Sequence, residues 1–217
     1  MQATFAGAMK VNRTALILVT FFVLLSSVFL GYYYFQVLKH PKHLKTYGNP
    51  GHKVGDFKLT DQNGRTITAA DLKDKICVAE FFFTNCEGIC PKMNDNMVKV
   101  YDAFRNDPSL LIVSHTVDPE RDSVAQMKNY SLKYDADPKK WLFLTGTKEE
   151  LYRMALEEYL ISVADSTVDA KNPVFIHSPY FVLVDKFKAV RGFYDGTVPE
   201  KVQLLIKDIA ELKKEEL

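Results

Sequence analysis

Two cysteines separated by three residues are the part of the sequence best suited to chemistry. Cys86 and Cys90 lie in the string Thr84-Asn-Cys-Glu-Gly-Ile-Cys-Pro-Lys-Met93, between an apolar run of strand length and a helical pattern. Open α/β sheets bind ligands at the carboxyl ends of their parallel strands, and a helix N-terminus favours the thiolate form of cysteine. Gly88 allows the loop to bend, and Pro91 suits the first turn of a helix. The two sulfurs are therefore expected to converge, either as a disulfide or as two ligands of a soft metal ion.

Four other features carry reactive or charged groups. His177 stands just before a predicted strand and is a candidate ligand, although a single histidine is more often structural. Cys77 and His115 lie inside apolar runs of strand length. We expect Cys77 to be a small buried hydrophobic residue and His115 to be buried or to have a cross-strand partner. The charged turn at residues 118–122 suits either the capping of a helix or the shaping of a site, and the sequence leaves both open.

The N-terminal segment is predicted to be a single transmembrane anchor. After a short tail of residues 1–14, residues 15–38 form a stretch of 24 residues without a formal charge. As a helix this stretch would reach about 36 Å, against about 30 Å for the hydrocarbon core of a bilayer. Tyr32, Tyr33 and Tyr34 suit the interfacial aromatic belt. A cleaved signal peptide is the alternative, but its apolar region would be shorter, about 7–15 residues.

Charge divides the chain into a basic N-terminal part and an acidic body. All 27 acidic residues and 22 of the 28 basic residues lie beyond residue 53, and this acidic body argues against nucleic acid as a partner. Residues 39–53 contain two prolines and two glycines and predict a linker. We interpret its histidines, His40, His43 and His52, as parts of a solvated basic tether. Basic residues flank the apolar span on both sides, so the positive-inside rule does not settle its orientation.

The pattern over residues 54–217 predicts a single α/β domain. The elements follow the order ββ, βα, βα, βα, ββ, α, which indicates parallel strands joined by helices and antiparallel strands added by hairpins. We therefore predict a thioredoxin-like fold, in which helices flank a mixed central sheet. The predicted elements are a hairpin over 57–68, strands over 76–84, 110–117 and 141–144, helices beginning near Cys90, Ser123 (or Asp122) and Thr147, a hairpin over 180–193, and a last helix after Thr197.

Four strings in this order resemble the Sco (SenC/PrrC) family. They are FFFTNCEGICPKMN around the two cysteines, DPERDSV at 118–124, WLFLTG at 141–146, and HSPYFVLVDKFKAVRGFYDGT at 177–197. The resemblance extends from about Val54 to the C-terminus, and it is much more specific than the cysteine spacing alone. Two departures are visible: Ile176 stands where many members have an acidic residue, and Glu87 stands where the family often has proline.

The resemblance implies a copper site and a location. It implies that Cys86, Cys90 and His177 bind copper, as Cu(I) or Cu(II). It implies a domain anchored on the periplasmic side of a bacterial inner membrane, or facing the mitochondrial intermembrane space. It further implies copper delivery, or thiol reduction, for the CuA centre in subunit II of cytochrome c oxidase, or for another copper acceptor.

The chemistry of the donor set agrees with this implication. Two thiolates and one imidazole suit a three-coordinate Cu(I) ion, although zinc accepts the same ligands. Metal binding requires reduced cysteines, so copper loading and disulfide formation compete, and the pair is a possible redox switch. Such a switch is useful where thiols become oxidised, which predicts that the domain lies outside the cytosol.

Two functions remain open from the sequence. The first is a metallochaperone that binds copper and passes it on by ligand exchange, without turnover of a substrate. The alternative is a thiol–disulfide oxidoreductase that uses Cys86 and Cys90 to reduce the cysteines of a partner protein. Enzymes of the thioredoxin type usually have two residues between the cysteines and a cis proline nearby, for which Pro173 and Pro179 are the candidates. A peroxidase of the peroxiredoxin type fits less well, because no proline precedes Cys86 at the required place.

Overall fold

The N-terminal helix is long and apolar on every side. In this computed structural model, residues 12–39, 43–164 and 178–215 are described, and the chain divides into one unit ending at Lys42 and another beginning at His43. The first unit contains helix α1 (Arg13–Lys39), whose 27 residues span about 40 Å. Its window Arg13–Phe35 has a mean hydropathy of 2.4 and is not buried within the protein. By length and composition α1 can cross a membrane, as the predicted span over 15–38 requires.

The second unit is built on a mixed seven-stranded sheet. The strands are β1 (Lys58–Asp61), β2 (Thr66–Thr68), β3 (Ile76–Phe82), β4 (Leu110–Thr116), β5 (Trp141–Thr145), β6 (Tyr180–Val184) and β7 (Val190–Asp195). Their order across the sheet is β2-β1-β5-β4-β3-β6-β7. The central pairs β3–β4 and β4–β5 are parallel, and the outer pairs are antiparallel. Every residue of the three central strands is buried, which is why they appear in the sequence as continuous apolar runs.

Helices cover both faces of this sheet. They are α2 (Ile89–Ala103), α3 (Val124–Leu132), α4 (Lys148–Arg153), α5 (Ile161–Ala164) and α6 (Pro199–Glu215), and a π-helical turn (Met154–Glu158) follows α4. Alternate residues of β3 enter different cores: Val78 and Phe82 pack on the side of α2, α3 and α6, whereas Cys77 and Phe81 pack on the side of α4 and α5. The predicted element order and the thioredoxin-like, mixed α/β plan are confirmed.

The segment expected to be a solvated linker packs against the domain from residue 43 onward. The Tyr47 N–H donates to the carbonyl of Val190 at 2.9 Å, and the Tyr47 ring contacts that of Phe193 with centroids 5.0 Å apart. His52 Nε2 lies 2.9 Å from the carbonyl of Glu158. The segment follows the edge of the domain without a helical or strand period, so its contacts leave no periodic signal in the sequence.

A buried arginine fastens this incoming segment to the rest of the domain. Arg191 makes ion pairs with Asp185 at 2.9 Å and with Glu215 at 2.6 Å, and these side chains are 11%, 4% and 7% exposed, respectively. The same guanidinium donates to the carbonyls of Leu44 and Lys45 at 2.8 and 3.2 Å. This Arg191 clasp therefore joins the incoming chain, the turn between β6 and β7, and the end of α6.

We predict that Arg191→Met lowers the free energy of unfolding by about 3 kcal/mol, because it leaves two buried carboxylates without their cation. The matched control is Arg105→Met. Arg105 pairs with Asp102 and Asp135 at the surface and is 46% exposed, so its loss is expected to lower the free energy of unfolding far less than the loss of Arg191 does. Urea unfolding of the full chain in detergent measures both values. Equal losses in the two variants would show that the clasp does not stabilise the fold.

Candidate metal centre

The end of strand β3 and the beginning of helix α2 bring Cys86 and Cys90 together. A turn follows β3, and the Cys86 N–H donates to the carbonyl of Phe83 at 3.2 Å. Helix α2 begins at Ile89, close to the predicted start, so Cys90 lies in its first turn. Both cysteines are free thiols, and the Cys86 thiol is close enough to Cys90 to help raise its pKa. Cys86 is 8% exposed and Cys90 is 2% exposed, so the pair lies at the rim of the core.

A buried carboxylate holds the loop that carries Cys86. Asp122, which is 1% exposed, accepts hydrogen bonds from the Thr84 N–H at 3.1 Å and from the hydroxyls of Thr84 and Thr116. Ser123, and not Asp122, caps α3 by accepting from the Gln126 N–H. The two roles that the sequence left open for this charged turn therefore belong to different residues. Asp122 fixes the position of the residue two places before Cys86.

The electrostatic setting of Cys90 differs from the sequence expectation. Burial raises the pKa of Cys90 well above its ordinary value, the hydrogen bond with Cys86 raises it further, and a backbone hydrogen bond at Phe83 opposes the rise only in part. The expectation that the helix N-terminus yields a thiolate is therefore wrong for Cys90, since desolvation is the larger effect. Without a metal ion the Cys90 sulfur keeps its proton, and a metal ion must displace that proton to bind.

A buried acid, Glu80, lies in the same core as the thiol pair and was missed in the sequence. It is 0% exposed on β3, and its Oε1 accepts from the Ser114 hydroxyl, which in turn accepts from the Trp141 indole. Burial raises the pKa of Glu80 to about 7, and its charge is one of the smaller contributions that raise the pKa of Cys90. Its Oε2 has no hydrogen-bond partner within the described residues. The available signal was one acidic residue in the middle of an apolar run.

The first turn of α2 is also tied to helix α3. Asn94 Nδ2 donates to the carbonyl of Cys90 at 3.0 Å and to the Tyr130 hydroxyl at 3.2 Å. The Tyr130 ring stacks on Phe82 at the end of β3, with centroids 5.0 Å apart. The backbone that carries Cys90 is thus held from two sides, and the thiol pair is positioned before any ligand arrives.

The structure separates the other sequence candidates from this pair. Cys77 is buried on the opposite face of β3, and burial raises its pKa to about 12, so the prediction of a structural cysteine is confirmed. His115 is fully buried and stacks on its cross-strand neighbour Phe81 at 5.1 Å, also as expected. His177 lies outside the described residues, and its approach to the thiols stays a prediction. Within the described ranges, no three His, Cys, Asp or Glu side chains cluster as a metal site.

The donor chemistry of the pair fits a soft metal ion. Two buried thiols that lie close together offer two polarisable sulfur ligands, which select copper(I), zinc or iron–sulfur clusters over hard cations. Two of the three predicted ligands, Cys86 and Cys90, therefore lie close together in the described residues, and metal binding by them stays a prediction.

Comparison with known proteins gives a consistent result. The family model described as SCO1/SenC matches residues 45–214. The SCO1 protein homolog of Bacillus subtilis (strain 168) is 30% identical over 160 residues, which cover 73% of this chain and 81% of that protein.

Two solved structures share the fold. BsSco, described as a member of the Sco family of cytochrome c oxidase assembly proteins with a disulfide switch, is 28% identical with a TM-score of 0.63, covering 79% of this chain and 98% of that chain. Yeast Sco1 with copper bound is 28% identical with a TM-score of 0.55, covering 75% and 95% of the two chains.

We predict that Glu80→Gln stabilises the reduced, metal-free protein above pH 7 and leaves its stability unchanged below pH 4.5. The pKa of Glu80 is about 7 in the folded protein, against an ordinary value of 4.5. The folded state therefore binds the proton more tightly than the unfolded state, and wild-type stability falls as the pH rises from 4.5 to 7. At about 1.4 kcal/mol per pKa unit, the difference approaches ~3 kcal/mol as an upper limit.

Urea unfolding of the wild type and Glu80→Gln at a series of pH values measures this difference. His115, whose pKa burial lowers to about 4, titrates in both proteins and cancels in the comparison. A stability difference that does not change with pH would contradict the prediction.

Proposed function

The chain belongs to the SCO1/SenC family, and on that basis we propose that it is a membrane-anchored copper chaperone whose ligands are Cys86, Cys90 and His177. The observation that carries the proposal is the pair of free, buried thiols, Cys86 and Cys90, between the carboxyl end of β3 and the first turn of α2. Yeast Sco1, which shares this fold, is solved with copper bound. The chemistry of the two sulfurs and the chemistry of that relative point to the same cargo.

Copper binding replaces two protons by one cation. Each thiol loses its proton when the metal ion binds, and the charge of the ion offsets the cost of placing thiolates in a buried site. The raised pKa of Cys90 makes the bare thiolate unfavourable, so the sulfur is stable either with a proton or with a metal ion. Glu87, which is exposed between the two ligands, adds negative charge where the cation enters.

The sheet register supports His177 as the third ligand. Strand β6 runs antiparallel to β3, with Ala79 opposite Val182. Continued by four residues, the same register puts Ser178 opposite Phe83, at the sheet edge where the cysteine loop begins. Ser178 is 1% exposed, so the chain enters β6 through the core at that edge. An imidazole added to two thiolates completes a three-coordinate Cu(I) site and also holds Cu(II).

We further propose that the copper acceptor is the CuA centre in subunit II of cytochrome c oxidase. BsSco is described as a cytochrome c oxidase assembly protein, and this relative supports the assignment. Transfer proceeds by ligand exchange: a donor of the acceptor enters beside Cys86, the more exposed sulfur, and the protein ligands leave one after another. Helix α1 anchors the chain in the bacterial inner membrane or the mitochondrial inner membrane, and the domain lies on the extracytoplasmic side.

A thiol–disulfide oxidoreductase is the second candidate, favoured by the description of a disulfide switch in BsSco. In that reaction Cys86 and Cys90 give two electrons and two protons to the disulfide of a partner protein and form a disulfide themselves. The cis proline expected for this class is not found at Pro179, since all peptide bonds within the described residues are trans. Pro173 lies outside those residues.

We predict that Cys86→Ala, Cys90→Ala and His177→Ala each abolish or greatly weaken the binding of one copper ion per chain. The wild-type Cu(II) form is expected to show a sulfur-to-copper charge-transfer band, which each substitution should remove or shift. Metal analysis and absorption spectroscopy of the reduced full chain measure both properties. Cys77→Ala is the matched control, because Cys77 lies on the opposite face of β3 and should leave copper binding intact.

The same variants separate the two functions. If His177→Ala binds copper with unchanged affinity and spectrum, the three-ligand site is refuted. If His177→Ala still supports CuA assembly while both cysteine variants fail, the protein acts as a thiol reductant. Failure of all three variants supports the chaperone.

A further inference from the structure

The chain enters the domain at the amino ends of the parallel strands, which is the side of the sheet opposite the cysteine pair. Cys86 and Cys90 follow the carboxyl end of β3, whereas the turn between β6 and β7 lies at its amino end, because Val184 pairs with Cys77. Helix α6 ends on this side of the sheet, where Lys213 forms an ion pair with Asp107, just before β4. We call this surface, at the amino ends of the parallel strands, the entry edge.

The Arg191 clasp fixes the incoming chain at the entry edge. Arg191 binds the carbonyls of Leu44 and Lys45 and also the carboxylate of Asp185, which begins the turn between β6 and β7. The chain then follows this edge, and the Val54 N–H donates to the carbonyl of Lys188 in the same turn at 2.8 Å. The start of the domain and the turn at residues 185–188 therefore lie side by side.

This turn holds an aromatic ring out of the domain. Phe187 is 58% exposed, although the turn around it is well fastened. Asp185 Oδ1 accepts from the N–H groups of Phe187 and Ala189 at 2.9 and 2.8 Å, and Lys188 adopts a left-handed backbone with φ of 69°. The exposure of Phe187 is thus a feature of an ordered turn.

Basic groups surround the exposed ring. A shallow depression beside Phe187 is lined by Lys73, Lys186 and Lys188, against one acid, Asp56. The Lys186 ammonium lies over the Phe187 ring, 5.3 Å from its centroid. An apolar ring beside ammonium groups is the pattern that binds the interface of an anionic bilayer. The ring enters the boundary between headgroups and acyl chains, and the Lys73 and Lys188 ammonium groups meet the phosphates.

The covalent length of the chain limits how far the entry edge can lie from the bilayer. Only residues 40–42 separate Lys39, the end of α1, from His43, the first residue of the second unit. Fully extended, this connection spans about 14 Å. A compact domain of this size measures about 40 Å across. If α1 spans the membrane, as proposed above, the start of the domain is held within a fraction of its own width from the membrane surface.

We propose that the entry edge is a lipid-binding surface in which Phe187 inserts into the interface of the anionic membrane that holds α1. This inference rests on the proposed anchoring by α1. The cysteine pair then lies at the opposite end of the domain from the proposed lipid contact.

Tryptophan quenching by brominated lipids tests the proposal. The full chain carrying Phe187→Trp is reconstituted into vesicles of phosphatidylglycerol and brominated phosphatidylcholine. A ring inserted by about 5–10 Å is expected to lose about half of its emission relative to unbrominated vesicles. Trp141, the only native tryptophan, is fully buried, and the wild type supplies its background. Glu120→Trp, at an exposed position beyond β4 near the cysteine edge, is the matched control and should stay unquenched.

Tyr33→Trp in α1 separates this proposal from the anchoring on which it rests. Quenching of Phe187→Trp and Tyr33→Trp without quenching of Glu120→Trp supports the lipid-binding surface. Quenching of Tyr33→Trp alone overturns the surface and leaves the anchor standing, and quenching of neither overturns both. A blue shift of Phe187→Trp without quenching by bromine means that protein covers the ring, which also overturns the proposal.

Discussion

The buried carboxylate of Asp122 is the interaction on which the geometry of the thiol pair depends. A carboxylate inside a protein needs hydrogen-bond donors, and Asp122 takes them from Thr84 on the cysteine loop and from Thr116 at the end of β4. The loop between β3 and α2 is therefore tied to the neighbouring parallel strand. Asn94 ties the other side of the loop by binding the Cys90 carbonyl. Because these contacts hold both sides of the cysteine loop, little ordering entropy would oppose the binding of a ligand, which is the advantage of preorganisation.

The same burial that positions the sulfurs also protects them. A thiolate is the form of cysteine that is oxidised and that attacks disulfides, and desolvation holds Cys90 in its thiol form. The buried Glu80 acts in the same direction whenever it is ionised, because its negative charge disfavours a second one nearby. A cation reverses this balance, since it stabilises both thiolates at once. Until a cation binds, the reactive thiolate form of Cys90 is therefore scarce.

The sequence predicted the order of the elements because each has a period or a turn signal of its own. The three central strands appear as apolar runs, and the caps of α3 and α4 are Ser123 and Thr147, as their positions suggested. The structural roles of Cys77 and His115 also followed from their apolar surroundings. Effects that depend on tertiary burial were not predictable. The protonation state of Cys90 depends on how deeply its sulfur is buried, which the sequence does not show. The contacts of Tyr47 and Arg191 join residues that are far apart in the chain. The role of His177 remains a prediction.

The topology of the sheet explains why the incoming chain and the cysteine loop lie at opposite ends of the parallel strands. Parallel strands place their loops for ligand binding at their carboxyl ends, and the cysteine loop follows this rule. The chain must return to the other end of the sheet after each such loop. The last residues of α6 and the turn between β6 and β7 therefore lie at the amino ends of those strands. The incoming chain can pair with β7 and with α6 only there, and Arg191 fastens it at that point. The Arg191 clasp and the thiol pair therefore lie at opposite ends of the same strands, and the sheet itself fixes the separation between them.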